Sequence, residues 1–512
     1  MTPQRAAGWE KLSPLMLAIH PVQELIRFFP ALLGLLFAGT SSGDGPLWSL
    51  IGMAAAIVLG LLRWFTTSYR ITSEQVQIRR GLVRRRTVSV PLDRVRTVDV
   101  TSHAMHRLLG LARVAIGTGQ SDRKKNGGLT LDALSRAGAA DLRERLLNKQ
   151  TIVRTSTVDS EELIARSEPG WLWYGPFTLS GFVTIGAIAA VLSRVFGESG
   201  VNPHRIGPIA TVMDQVGGLP LPVAVLEVAA ALLVAVAIAS TAGYALSYWH
   251  FRLSRPSQQT LHVTRGLLTS RATTLEERRL RGAELSEPLL LRLVGGARCL
   301  AIATGLRVGR GAERGGSVLL PPGPRQVAIQ VAGAVLRTDR PVAAALIRHP
   351  AAAARRRVTR ALAGAALIVL ALDLALWLNN VPGWVWVLSW LVVPIALVLA
   401  ADRFASLGHA VSGGYLVGRW GSLVRRRWML STSGIIGWNL RRSFYQRRAG
   451  LVTLTATTAG GRQGYRVQDV TMTEAIRLAE EAVPALLLPF LAEPAGPATQ
   501  PAVLNERGVG AL

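Results

Sequence analysis

Arg79–Val100 reads RRGLVRRRTVSVPLDRVRTVDV, and its pattern returns as TRGLLTSRATTLEERRLRGAEL at Thr264–Leu285 and as RWGSLVRRRWMLSTSGIIGWNL at Arg419–Leu440. Without gaps, the first copy maps onto the others at offsets of 185 and 340 residues. Gly81 then falls on Gly266 and Gly421, Arg86 on Arg271 and Arg426, Val95 on Leu280 and Ile435, and Val100 on Leu285 and Leu440. The match runs on past the segment, with Arg107 on Arg292 and Arg447 and Gly110 on Gly295 and Gly450. Such fixed spacing implies one folding unit used three times.

The period inside the unit argues for strands. Gln75-Val76-Gln77-Ile78 and Thr87-Val88-Ser89-Val90 alternate as half-buried strands do, with Gly81 between them where a tight turn uses positive φ. Arg96–Val100 predicts a third strand and Ala112–Gly117 a fourth. The period then changes to that of an amphipathic helix over Asp132–Leu147. In the third copy, Thr471 stands three residues before Glu474, a capping-box pattern that opens a helix to about Leu487. The second copy is degenerate. It has Glu276 at the position of Pro91, a glycine-rich run at Gly305–Gly316, and a closing helix expected at Pro324–Arg337.

Composition shows what surrounds these units. The chain has 512 residues, a net charge of +27 and yet a positive mean hydropathy of +0.31, so charge and apolarity must be segregated along it. Apolar runs at Ile26–Ala38 and Trp48–Trp64, at Trp171–Val195 and Leu221–Tyr248, and at Ala361–Leu378 and Val385–Ala400 form three pairs, each just before a basic repeat. They read as transmembrane hairpins. The hairpin loops Thr40–Pro46, Phe196–Pro220 and Asn379–Gly383 hold a single basic residue, Arg205. The positive-inside rule therefore places both termini and all three repeats in the cytoplasm. Arginine far outnumbers lysine, a composition that suggests a GC-rich bacterial genome; the expected location is the bacterial cytoplasmic membrane. No signal-peptide pattern opens the chain.

The expected division is a lead-in at 1–25, hairpins at 26–65, 171–248 and 361–402, and repeat domains at 66–150, 249–340 and 403–490. Linkers fall at 151–170 and 341–360, and a disordered Pro- and Ala-rich tail at 491–512. The fold class is α+β plus transmembrane α-helices, the hairpins alternating with small antiparallel units closed by one helix.

A hairpin followed by Tyr69-Arg70-Ile71-Thr72, Gly81-Leu82, Arg86-Thr87, Pro91, Val95, Val98, Val100, Arg107 and Gly110-Leu111 resembles the second type of bacterial pleckstrin-homology (PH) domain. The arrangement is that of YdbS/YdbT-like membrane proteins. The resemblance is specific in the first copy, good in the third and loose in the second. It implies two near-orthogonal antiparallel sheets capped by a carboxy-terminal helix, no active site and no cofactor, with cell-envelope maintenance and tolerance of membrane stress as the associated role.

Candidate sites follow from charge. Arg79, Arg80, Arg84, Arg85 and Arg86 cluster around the first hairpin, and Arg419, Arg425, Arg426 and Arg427 around the third. Lipid-binding PH domains grip a phosphorylated headgroup with a basic residue on one strand and a basic-x-Arg on the next. Arg80 with Arg84-x-Arg86, and Arg419 with Arg425-x-Arg427, are similar in layout. The competing readings are loose adhesion to anionic lipid at ~1 kcal/mol per arginine and a structural or partner-binding role, the partner being a second PH-domain membrane protein or another copy of this chain. Nucleic acid fits poorly despite a pI near 11.6, because no exposed aromatic platform accompanies the arginines of the first copy and the charge is tied to spans. Asp373 and Glu227 lie inside spans, where a carboxylate is a functional-site hypothesis by default. A transporter reading needs more such groups than these two. His103 and His106 have no counterpart in the other copies, and Cys299 is the only cysteine, so neither metal nor redox chemistry is expected.

Overall fold

The computed structural model describes residues 9–11, 68–72, 75–80, 86–91, 97–102, 107–117, 129–135, 161–178, 218–257, 260–304, 318–379 and 383–484, with scattered positions beside these runs. The lead-in strand β1 (Glu10–Lys11) and the first-repeat strands β2 (Ser68–Ile71), β3 (Gln75–Arg80) and β4 (Arg86–Pro91) form one antiparallel sheet in that order. β5 (Thr97–Ser102), β6 (Leu111–Gly117) and β7 (Leu129–Ser135) turn into a second. The second repeat follows β8 (Glu162–Arg166) and the long helix α1 (Leu221–Tyr248). It comprises β9 (Arg252–Ser257), β10 (Thr260–Arg265), β11 (Ser270–Glu276) and β12 (Leu280–Pro288), then α2 (Leu289–Leu293), β13 (Gly296–Ala303), β14 (Val318–Pro324), α3 (Arg325–Leu336) and α4 (Arg340–Ala343). The third is introduced by α5 (Ala351–Leu378), α6 (Gly383–Ser389) and α7 (Val392–Ala405). It consists of β15 (Gly408–Ser412), β16 (Tyr415–Trp420), β17 (Val424–Ser431), β18 (Gly437–Arg441), α8 (Phe444–Arg448), β19 (Leu451–Thr457), β20 (Gly464–Thr471) and α9 (Met472–Ala482).

Each repeat thus contributes two halves, but the halves do not stay within their own repeat. β5 of the first repeat pairs with β11 of the second, giving a seven-stranded sheet β7-β6-β5-β11-β10-β9-β8. β12 of the second pairs with β17 of the third, giving β14-β13-β12-β17-β16-β15. The registers agree. Asp99 lies opposite Thr273 at the first junction and Glu284 opposite Trp428 at the second. With the offsets of 185 and 340 removed, both pairs set position 88 of one repeat against position 99 of the repeat before it.

Packing explains why the sheets run on. Side chains alternate across a strand, and on β16 and β17 both faces are buried. Val417 and Met429 enter the core of the second repeat, beside Leu285, Cys299 and Val331. Leu416, Trp428 and Leu430 enter that of the third, beside Val452, Leu454 and Leu478. The run Trp428-Met429-Leu430 is continuously apolar because the strand is covered on both sides.

The turns follow the repeat. Gly266 and Gly421 have φ of +108° and +110°, and a Cβ on either would come within 2.0 Å of the carbonyl oxygen of Thr269 or Val424. Gly110, Gly295 and Gly450 share φ of +67°, +70° and +66°. Gly81 lies outside the described residues.

Several expected boundaries are corrected. Asp132–Leu147 does not begin as a helix: its first residues belong to β7, and Ser135, whose Oγ accepts from the Gly138 amide at 3.0 Å, marks where the backbone turns. Trp171 opens no span. Pro169–Tyr174 and Pro176–Thr178 are 3-10 turns that tuck Trp171 into the core of the second repeat. The expected linkers hold β8 and the start of α5, and α9 stops at Ala482 before Pro484 rather than at Leu487. The lead-in contains the short strand β1.

Among the described residues three helices are long and apolar enough to cross a membrane: Pro222–Tyr248, Ala351–Leu378 and Trp386–Ala405, with mean hydropathies of 2.5, 2.3 and 1.9. The first hairpin, the loop Gly305–Gly316, His103, His106 and the tail lie essentially outside the described residues.

Candidate functional site

Arg419, Arg425 and Arg427 of the third repeat are brought together, and each of the three is held by a specific acceptor. Arg419 on β16 donates to the carbonyls of Ser406 (3.0 Å) and Ala405 (3.2 Å), the open end of spanning helix α7. Arg427 on β17 donates to the carbonyls of Pro341 (3.1 Å) and Ala344 (2.8 Å), the end of α4. Both guanidiniums therefore sit where unpaired carbonyls and the helix dipole favour a cation. Arg425 pairs with Asp402 at 2.8 Å, and Arg292 reaches the same carboxylate at 3.2 Å. Asp402 is in the last turn of α7, where a carboxylate opposes the helix dipole, and the two arginines offset that.

Alternation sends Arg426 the other way. It meets Glu284 of the preceding repeat at 2.8 Å, and Arg462 joins the same carboxylate at 3.1 Å.

Arg419, Arg425 and Arg427, together with Arg325 of α3, line a small cleft between the second and third repeats. Its floor is Leu285, Ile329 and Val342, and its one acidic lining residue is Glu287, paired with Arg325 at 2.8 Å. Burial first, and then the charge of Arg425 on Arg419 and of Arg419 on Arg427, lowers the pKa of these two groups below the usual arginine value. Such crowding of cations favours an anion.

In the first repeat Arg79 stacks over Trp9, its guanidinium 5.7 Å from the ring. Arg80 and Arg86 are cross-strand neighbours on β3 and β4; their side chains, and all of Arg84 and Arg85, lie outside the described set. The offset of 340 aligns Arg84 and Arg86 with Val424 and Arg426, so the face expected to carry Arg84-x-Arg86 corresponds to the Glu284-facing side of β17 and not to the cleft. In the second repeat Arg265 stacks on Tyr248 at 5.1 Å.

A second cluster carried no sequence signal. Asp469 on β20, 1% exposed and with φ of +60°, accepts from Arg356 (2.5 Å), Arg357 (2.6 Å) and Gln446 (2.7 Å). Its carbonyl lies 3.3 Å from His349, which meets His409 at 3.2 Å; His409 in turn meets Glu474 at 3.0 Å. This clamp fixes the first turns of α5 to the third repeat. Within the hairpin, Asp373 accepts from Ser389 at 2.7 Å, and Glu227 on α1 is exposed on the outer surface of its helix. Among the described residues no group of histidine, cysteine and carboxylate side chains is placed to hold a metal.

The chain thus joins apolar helices of spanning length to antiparallel sheets, the third repeat closed by an amphipathic helix. Residues 25–150 and 358–483 each match the family model for the bacterial PH domain, so the chain is a bacterial PH-domain membrane protein. It is 21% identical over 282 residues to the UPF0699 transmembrane protein YdbT of Bacillus subtilis (strain 168). That alignment covers 53% of each, so the chain spans about half the length of the curated relative it matches. No solved structure matches it. The middle repeat lies outside both matched segments and is assigned by its shared offset and register.

Proposed function

We propose that the chain is a non-enzymatic binding and scaffolding protein of the bacterial cytoplasmic membrane, its PH-like repeats facing the cytoplasm and binding anionic headgroups beside the bilayer. The observation that carries this is the Arg325, Arg419, Arg425 and Arg427 cleft, whose wall is fastened to the end of the spanning helix α7. A headgroup reaching it would meet several guanidiniums within a Debye length of ~8 Å. A role in envelope maintenance or tolerance of membrane stress follows from the likeness to YdbS/YdbT-like proteins. The runner-up, a transporter or an accessory subunit of a membrane complex, would draw on Asp373, but its pairing with Ser389 supports a packing role.

The test is native mass spectrometry of the detergent-purified full chain offered equal phosphatidylglycerol and phosphatidylcholine. Preferential retention of the anionic lipid is expected, weakened several-fold by Arg325→Gln, on a side chain 56% exposed, and abolished when Arg427→Gln is added. Equal retention of the two lipids by the unaltered chain would remove the headgroup reading.

A further inference from the structure

Two edges of this molecule repeat a junction that is filled elsewhere. Inside the chain, the third strand of a repeat pairs with the fourth strand of the repeat before it, twice, in one register. Among the described residues, the third strand of the first repeat, β4, ends its sheet, and the fourth strand of the third repeat, β18, ends its own. Among the described residues nothing pairs with either outer edge.

We propose that β18 of one copy pairs antiparallel with β4 of a second copy, in the register of the internal junctions, so that copies join head to tail in the plane of the membrane. Setting position 88 against position 99 places Val88 opposite Asn439, Ser89 opposite Trp438, Val90 opposite Gly437, Thr87 opposite Leu440 and Arg86 opposite Arg441.

Exposure supports this pairing. Val88 is 42% exposed, whereas its equivalents Thr273 and Trp428 are 4% and 1% exposed. Leu440 is 39% exposed, whereas its equivalent Leu285 is 4%. Ser89 presents a hydroxyl where the first junction buries Thr274, and Asn439 stands at the position that Glu284 occupies in the second junction. Arg441 opposite Arg86 is the one repulsive pair, since like charges directly opposite across strands destabilise. Association is therefore expected to tighten as salt rises, the reverse of the headgroup interaction. A head-to-tail contact of this kind closes into a ring or grows as a filament. The inference does not depend on the anion cleft.

The experiment uses the full chain, purified and reconstituted in vesicles, with Cys299→Ala to remove the buried native thiol. One tagged copy carries Val88→Cys and a differently tagged copy Asn439→Cys; opposed Cβ atoms across a strand pair lie ~5 Å apart. Oxidation is expected to give a doubly tagged dimer, several times less of it when Arg441→Cys replaces Asn439→Cys, and a ladder of multimers when one chain carries both thiols. Asn439→Glu, restoring the acid of the second junction, is expected to raise the oligomer fraction in mass photometry. The proposal is overturned by a monomer with no intermolecular product, by a product confined to one chain, or by equal yields in shifted registers. A purified chain that assembles only after another protein is added overturns it as well.

Discussion

Asp469 concentrates more of this molecule's electrostatics than any position the sequence points to. It is buried in a left-handed conformation that aspartate tolerates better than most residues, and two arginines of α5 depend on it for charge. Asp469→Ala strands those guanidiniums, and removing one partner of a buried ion pair costs about 3–5 kcal/mol. Denaturant unfolding of the detergent-solubilised full chain should show that loss, with Asp469→Asn intermediate. The neighbouring His349 sets a pH dependence. Burial first, and His409 second, lower its pKa from 6.5 to about 4. Between those values the folded chain holds fewer protons than the unfolded one, so stability is flat above about pH 6.5 and falls as pH drops toward 4, by about 3 kcal/mol at most. His349→Gln should flatten the stability profile in that window while leaving the acid loss from Glu474, whose pKa is held at about 2 mainly by its hydrogen bond with Arg477, at lower pH. Gly266 and Gly421 were legible in the sequence because a recurring glycine between alternating strands has one simple cause, a tight turn. The clamp was not, because its members lie at 349, 356–357, 409, 446, 469 and 474 and only the fold brings them together.

At the scale of elements, the strands β3, β4, β5 and β6 follow directly from alternation, and α3 and the start of α9 from their flanking proline and threonine. β7 escaped because Leu131, Leu134 and Leu142 also satisfy a helical period, and a short apolar run does not distinguish the two. Trp171 was assigned to a span because an apolar run looks alike whether lipid or a protein core covers it. The exchange of halves between repeats was written only in Trp428-Met429-Leu430, where alternation breaks down because both faces of β17 are covered. It has a measurable result. Met429 belongs to the third repeat but fills the core of the second, so Met429→Ala should destabilise by about 2–5 kcal/mol and quicken proteolysis within 249–340. A loss of protection confined to 403–490 would show that the repeats fold separately.

For the whole molecule, the positive-inside rule predicts an orientation that can be tested. Cysteines introduced at Ser42, Asn202 and Asn380 in a Cys299→Ala chain should label from outside intact cells, and cysteines at Ser121 or Gln463 should not; the reverse pattern would invert the topology. The candidate arginines of the third repeat were legible as a group, but their partners, helix-end carbonyls and Asp402, belong to elements far apart in sequence. One further property of the clamp is mechanical. α5 runs 28 residues without interruption, ~42 Å at 1.5 Å per residue, from the turns held by Asp469 to the far end of its span. A helix gripped at one end and free of a hinge behaves as a lever. If a thicker or thinner bilayer changes the tilt of the span, the third repeat is expected to turn with it, and the shared sheet to carry that rotation into the second.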